Sequence, residues 1–189
     1  MAAVVVLAGG ASKRMGRDKL LLEVGGATLL ESAVLRFGEA FDDIYISVAD
    51  EAKYPKIAAR RVVDIHRGAG PLSGLHAALS SLGHDGVFIV AADLPYASPE
   101  AALKIIELCG AHEACIIRLP DGKIEPLFGY YGKTLLPLCD EALLSGDNRM
   151  SEVLYKANTR FIAPEMLGSL WSEKLIFNIN YPDDYSRVL

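Results

Sequence analysis

The chain has 189 residues, 51% of them hydrophobic and 23% charged, which excludes a disordered or collagen-like polymer and suits a single domain spanning 1–189. Nineteen Lys and Arg against 24 Asp and Glu leave a formal charge of −5, the wrong sign for a binder of duplex nucleic acid. No apolar run reaches the ~18 residues of a membrane span, and the opening stretch from Met1 to Ala8 lacks the basic leader and the length of a signal peptide, so a cytoplasmic chain without a membrane partner is expected.

The elements follow in chain order. Ala3 to Leu7 is an apolar, β-branched run that ends at Gly9-Gly10 and reads as a buried strand. Leu29 to Phe37 carries apolar residues at helical spacing, with Gly38 as its stop. Ile44 to Val48 and Arg61 to Val63 read as strands, and Gly70-Pro71 opens a helix running to Leu82. Val87 to Ala92 is another long buried strand. Ser98-Pro99 combines an N-cap with Pro at the first helical position and starts a helix to about Leu108. Ala114 to Leu119 and Ile124 to Tyr131 flank Asp121-Gly122, a hairpin signal. Thr134 to Leu144 and Ser151 to Lys156 read as helices, with Arg160 to Ala163 and Ile176 to Ile179 as late strands. Strands alternating with helices imply βαβ units. Strands apolar on both faces imply a mostly parallel sheet covered on both sides, here with one antiparallel element. Ligands in such sheets bind beyond the carboxyl ends of the strands, which directs attention to the loops after residues 7, 48, 63 and 92.

The first of these loops is the most informative. Gly9 and Gly10 lack a Cβ and let backbone N–H groups approach an anion. Four cations, Lys13, Arg14, Arg17 and Lys19, follow within seven residues of an otherwise acidic chain, a local charge reversal suited to a polyphosphate. Neither G-x-x-x-x-G-K-[ST] nor G-x-G-x-x-G is present, so this is not a Walker or dinucleotide loop. Asp93 stands where the strand 87–92 emerges, followed by Leu94-Pro95. A carboxylate there needs a partner, and Mg²⁺ takes one or two carboxylates together with substrate phosphates, so Asp93 is the metal-ligand candidate. Asp64 also ends a strand and can accept hydrogen bonds from a base or ribose, although an acid at a strand end is also ordinary turn chemistry. The loop from Gly68 to Gly74 is able to close over a nucleobase. Cys109, Cys115 and Cys139 are odd in number and form no C-x-x-C pair, and no histidines stand at H-x-x-x-H spacing; reduced thiols are expected rather than a disulfide or a His/Cys metal site.

Taken together, Leu7-Ala8-Gly9-Gly10, Arg14-Met15-Gly16 and Asp18-Lys19 resemble the signature of nucleotidyltransferases, and within that superfamily the molybdenum cofactor guanylyltransferases. Gly70-Pro71-Leu72-Ser73-Gly74, Ala92-Asp93-Leu94-Pro95, Glu125-Pro126-Leu127 and Asn178-Ile179-Asn180 with Pro182 extend the resemblance over nearly the whole chain. The resemblance implies a three-layer α/β/α Rossmann-like nucleotidyltransferase fold. It also implies a reaction in which the phosphate of molybdopterin, with or without molybdenum, attacks the α-phosphorus of GTP and releases pyrophosphate. By motif position, Leu7, Ala8, Gly9 and Gly10 would contact the nucleotide, Lys19 and Arg14 its phosphates, Asp64 the guanosine, and Asp93 both Mg²⁺ and phosphate. Asn178 and Asn180 would lie near the pterin. The family's nucleotide-contacting Asn after the second strand is replaced here by Ser47. Contact with molybdenum cofactor biosynthesis proteins or apoenzymes is also implied. Alternatives that share the first loop are a cytidylyltransferase acting on the same pterin and a sugar-phosphate nucleotidyltransferase. A non-catalytic nucleotide-binding module is the alternative of another class.

Overall fold

The structure, a computed structural model, describes residues 2–9 and 18–188. Strand β1 (Ala3–Leu7) is followed by a small hairpin of β2 (Glu23–Val24) and β3 (Ala27–Thr28), then helix α1 (Leu29–Gly38). Next come β4 (Ile44–Val48), β5 (Arg60–Val63), α2 (Pro71–Ser81), β6 (Gly86–Ala91) and α3 (Pro99–Cys109). The rest of the chain forms β7 (Ala114–Arg118), β8 (Ile124–Gly132), α4 (Leu136–Ser145), α5 (Met150–Lys156), β9 (Thr159–Ile162) and a short α6 (Pro182–Ser186). Seven strands make one sheet in the order β5-β4-β1-β6-β8-β7-β9.

All neighbours in this sheet are parallel except β8, which runs antiparallel to both β6 and β7. The reversal comes from the turn at Asp121-Gly122. Gly122 has φ +85°, and the Asp121 carboxylate accepts from the Lys123 N–H at 3.0 Å. Alternate residues of β1 point to opposite sides. Val4 and Val6 pack with α1 and α3, while Ala3, Val5 and Leu7 pack with α2, α4 and α5. The result is the three-layer arrangement expected of strands apolar on both faces.

The helix starts follow capping chemistry. Ser98 accepts from Ala101 N–H and precedes Pro99, as its sequence implies. Thr28 and Glu31 make a reciprocal capping box at α1, with Glu31 N–H to Thr28 Oγ1 at 3.2 Å and Thr28 N–H to Glu31 Oε2 at 2.8 Å. Thr28→Ala removes one acceptor and is expected to lower stability by about 1 kcal/mol, read as a shift of the urea midpoint without a change in slope.

The structure differs from the sequence reading at two places. The β2–β3 hairpin, turning at Gly25 and Gly26 with φ +64° and +89°, was not anticipated, because two-residue strands carry no periodicity. Ile176 to Ile179 is not a strand. A 3₁₀ turn occupies Glu173–Ile176, and Ile179 then donates its N–H to the Asp93 carbonyl at 3.0 Å instead of entering the sheet. Its side chain is fully buried in a satellite cluster with Leu22 and Leu29. No helix among the described residues is long and apolar enough to cross a membrane.

Candidate active site

The chain leaves β1 for β4 on one side and later returns to place β6 on the other. The carboxyl ends of β1 and β6 therefore flank the point where the strand order reverses, which is where open α/β sheets bind ligands. A cleft of about 360 Å³ lies there, lined among others by Leu7, Gly9, Lys19, Asp64 and Asp93. Ala8 lies just beneath it and is buried. Gly10 and Arg14 fall outside the described residues.

Lys19 is held by a short 3₁₀ turn, Lys19–Leu21, capped by Asp18, whose Oδ1 accepts from Leu20 N–H at 3.1 Å. The other oxygen of Asp18 accepts from the Tyr54 hydroxyl at 2.8 Å, and Tyr54 also reaches the Ala8 carbonyl at 3.5 Å. Burial, and then Asp18, push the Tyr54 phenol well above its usual range, so it stays a donor. Tyr54 sits at φ +54°, a conformation unusual for a residue with a side chain, and Arg61 fixes it by donating to its carbonyl at 2.8 Å. Thus the loop after β4 ties the end of β1 to the turn that carries Lys19.

The Lys19 ammonium meets the Asp93 carboxylate directly, as an ion pair through Oδ2. It also donates to the Ile179 carbonyl at 2.9 Å and to Asn180 Oδ1 at 3.1 Å. Residues separated by 74 and 161 positions are therefore brought together by one ammonium. Asn180 is placed by the bond from Ile179 to Asp93 and by Asp184, which accepts from the Asn180 N–H at 3.0 Å. Asn178 lies nearby in the same segment and its buried Oδ1 has no hydrogen-bond partner among the described residues.

The opposite wall of the cleft is built by β4, β5 and the start of α2. Asp64 follows β5 and accepts from the Ser47 hydroxyl at 3.0 Å. Burial pushes the Asp64 pKa up, and the Ser47 bond draws it back. Gly70 caps α2 at φ +66°, ψ −149°, a region reserved for glycine, so the helix starts without a side chain over its first N–H groups. Gly68, Gly70, Pro71 and Gly74 all line the cleft. The amino end of α2 therefore faces it with the partial positive charge that favours anions.

Whether the residues fit a divalent ion rests on Asp93. Its Oδ1 is buried and has no hydrogen-bond partner among the described residues, a costly arrangement unless something else binds there. Among the described residues no group of three His, Cys, Asp or Glu side chains could hold a metal alone. The donor set thus fits an ion that completes its coordination with substrate phosphates, as Mg²⁺ does. Glu125, near the start of β8, is a further acid on the strand next to β6. Burial raises its pKa, the hydrogen bond that it accepts from the Leu127 N–H at 3.0 Å draws it back, and the charge of Asp93 adds a smaller rise. Only the proximity of β6 and β8 could have revealed this. Cys109, Cys115 and Cys139 are all free and buried.

Comparison with known proteins gives the family of the chain. The family model described as MobA-like NTP transferase domain matches residues 4–160. A relative from Pelotomaculum thermopropionicum, named "probable molybdenum cofactor guanylyltransferase", is 32% identical over 97% of this chain and 90% of its own. The crystal structure of molybdopterin-guanine dinucleotide biosynthesis protein A from Archaeoglobus fulgidus superimposes with a TM-score of 0.85 at 27% identity, covering 98% of this chain and 96% of that one. A manganese complex of a Mycobacterium tuberculosis protein shares the fold, with a TM-score of 0.67 at 21% identity over 100% and 99% of the two chains. The end of β1, the acid after β6 and the glycine-rich start of α2 all fall within the matched span, and the chain belongs to the MobA-like NTP transferase domain family.

Proposed function

We propose that this chain is a molybdenum cofactor guanylyltransferase, acting as one domain, that transfers GMP from GTP to molybdopterin or its molybdenum-bearing form. The observation that carries the reading is the meeting of Lys19 and Asp93 at the carboxyl ends of β1 and β6, opposite Asp64 and the glycine-capped amino end of α2. The names of the relatives support the choice of substrates. Three buried free thiols support a reducing compartment, and the cytoplasm belongs to this reading.

In the reaction, an oxygen of the pterin phosphate forms a bond to the α-phosphorus of GTP. The bond from that phosphorus to the bridging oxygen breaks, and pyrophosphate carries the electron pair away. The attacking phosphate is already ionised at neutral pH, so no strong general base is needed. The task of the protein is to hold the partners in line and to stabilise accumulating negative charge. Leu7, Ala8, Gly9 and Gly10 are assigned to nucleotide contact by motif position, and Asp64 to accepting hydrogen bonds from guanosine. Lys19, with Arg14, takes the phosphates. To do so, the Lys19 ammonium exchanges its present oxygen partners on Asp93, Ile179 and Asn180 for phosphate oxygens. That exchange frees Asn180, beside Asn178, to face the acceptor. Asp93 would hold Mg²⁺, which when bound neutralises phosphate charge and polarises the α-phosphorus.

Pyrophosphate release, measured with GTP, CTP and ATP and with molybdopterin as acceptor, tests the proposal. Release is expected only with GTP, acceptor and a divalent cation together. A preference for CTP overturns the guanine assignment. GTP binding without any turnover overturns the enzyme assignment in favour of a binding module.

A further inference from the structure

Ser47 stands where the resembling family carries an Asn that contacts nucleotide, yet its surroundings give it a different task. Only 3% of Ser47 is exposed. Its hydroxyl has one proton, and that proton goes to Asp64 Oδ1 at 3.0 Å, because a carboxylate oxygen can only accept. Ser47 therefore has no donor left for a nucleotide. Ser47 also lines the cleft beside Asp64, with α2 packed against it. A Cβ on Gly74 would press into the Ser47 hydroxyl and come within 2.8 Å of Leu7 Cδ2, so α2 packs tightly against this point of β4. The backbone is equally fixed, since the Ser47 carbonyl accepts from Ala8 N–H at 3.0 Å and Val48 accepts from Asp64 N–H at 2.9 Å. An ionised carboxylate has about four acceptor positions, so one bond to Ser47 orients Asp64 and leaves the others for a ligand.

We propose that Ser47 is a positioning residue for nucleotide recognition, holding the Asp64 carboxylate in the orientation that accepts hydrogen bonds from guanosine, with Gly74 providing the space. This inference rests on the guanylyltransferase reading of the site. It assigns Ser47 to binding and not to the chemical step.

The test is a double-mutant cycle on the full chain. The dissociation constant for GTP is measured by calorimetry for wild type, Ser47→Ala, Asp64→Ala and the double variant, with steady-state kinetics alongside. Ser47→Ala is expected to weaken GTP binding about tenfold, as loss of a hydrogen bond to a charged group does. KM should rise while kcat stays within about twofold, since the reacting phosphates are untouched. In the Asp64→Ala background the same change should have less than about a twofold effect, because its partner is gone. Ser47→Cys keeps the shape with a weaker donor and should fall between wild type and Ser47→Ala; it carries the test if Ser47→Ala does not fold. An unchanged GTP affinity, or an equal loss in both backgrounds, overturns the inference while leaving the enzyme assignment intact. A wild-type protein that does not bind GTP overturns both.

Discussion

Lys19→Ala is expected to lower kcat by about 10²-fold or more, the loss typical of removing one preorganised group that stabilises transition-state charge. The structure adds a second consequence. Lys19 and Asp93 are 16% and 13% exposed, so the pair is largely withdrawn from solvent. Deleting the ammonium removes the partner of Asp93 Oδ2, while Oδ1 already has no hydrogen-bond partner among the described residues. Breaking a buried pair from one side costs about 3 kcal/mol. The variant should therefore unfold at lower urea than wild type, with the slope unchanged. A cation placed on Asp93 should restore part of this loss. Adding Mn²⁺ is thus expected to raise the melting temperature of Lys19→Ala by more than it raises that of wild type, in which the ammonium and the metal compete for one carboxylate. Near-normal turnover would remove Lys19 from the phosphate site, and equal Mn²⁺ responses would rule out the competition.

Asp93→Asn should separate charge from shape. The amide keeps an oxygen for Lys19, and the backbone carbonyl that accepts from Ile179 is unaffected, so the fold of the carboxy-terminal segment should persist. The negative charge is lost, and a neutral amide oxygen holds a hard cation more weakly than a carboxylate does. The expected outcome is a fall in kcat of at least about 10²-fold. The Mn²⁺ affinity measured by electron spin resonance with GTP present should fall by more than about tenfold. An unchanged Mn²⁺ titration would exclude Asp93 as the metal ligand even if turnover fell. Because this readout does not depend on catalysis, it separates loss of metal from loss of Lys19 positioning.

Part of this molecule follows from local chemistry and was legible in the residue order. The apolar runs from Ala3 to Leu7 and from Val87 to Ala92, the Ser98-Pro99 cap and the Asp121-Gly122 turn depend on neighbours within a few residues, and the structure contains each of them, the second run as the strand Gly86–Ala91. Alternation of strands and helices then implied the parallel sheet, and the sheet implied which ends of the strands to search. Lys19 and Asp93 could be picked out because a cation cluster and an acid at a strand end are visible without coordinates. What could not be read was which groups touch. The Lys19 bonds to Asp93, Ile179 and Asn180 join three separate stretches of chain, and the Ser47 bond to Asp64 joins two parallel strands. For the same reason Ile176 to Ile179 resembled a strand. Ile179 is buried in a satellite cluster with Phe177 packed against it, and Ile176 packs at the edge of the main core, none of them in the sheet. Periodicity reports that a side chain leaves water. It does not report what that side chain meets, because long-range contacts depend on how the layers pack and on which backbone donors remain unpaired once the sheet has formed. The residue order thus determined most of the elements and the chemical character of the cleft, and tertiary packing decided the β2–β3 hairpin, the course of residues 176–179 and the partners of Lys19, Ser47 and Asn180.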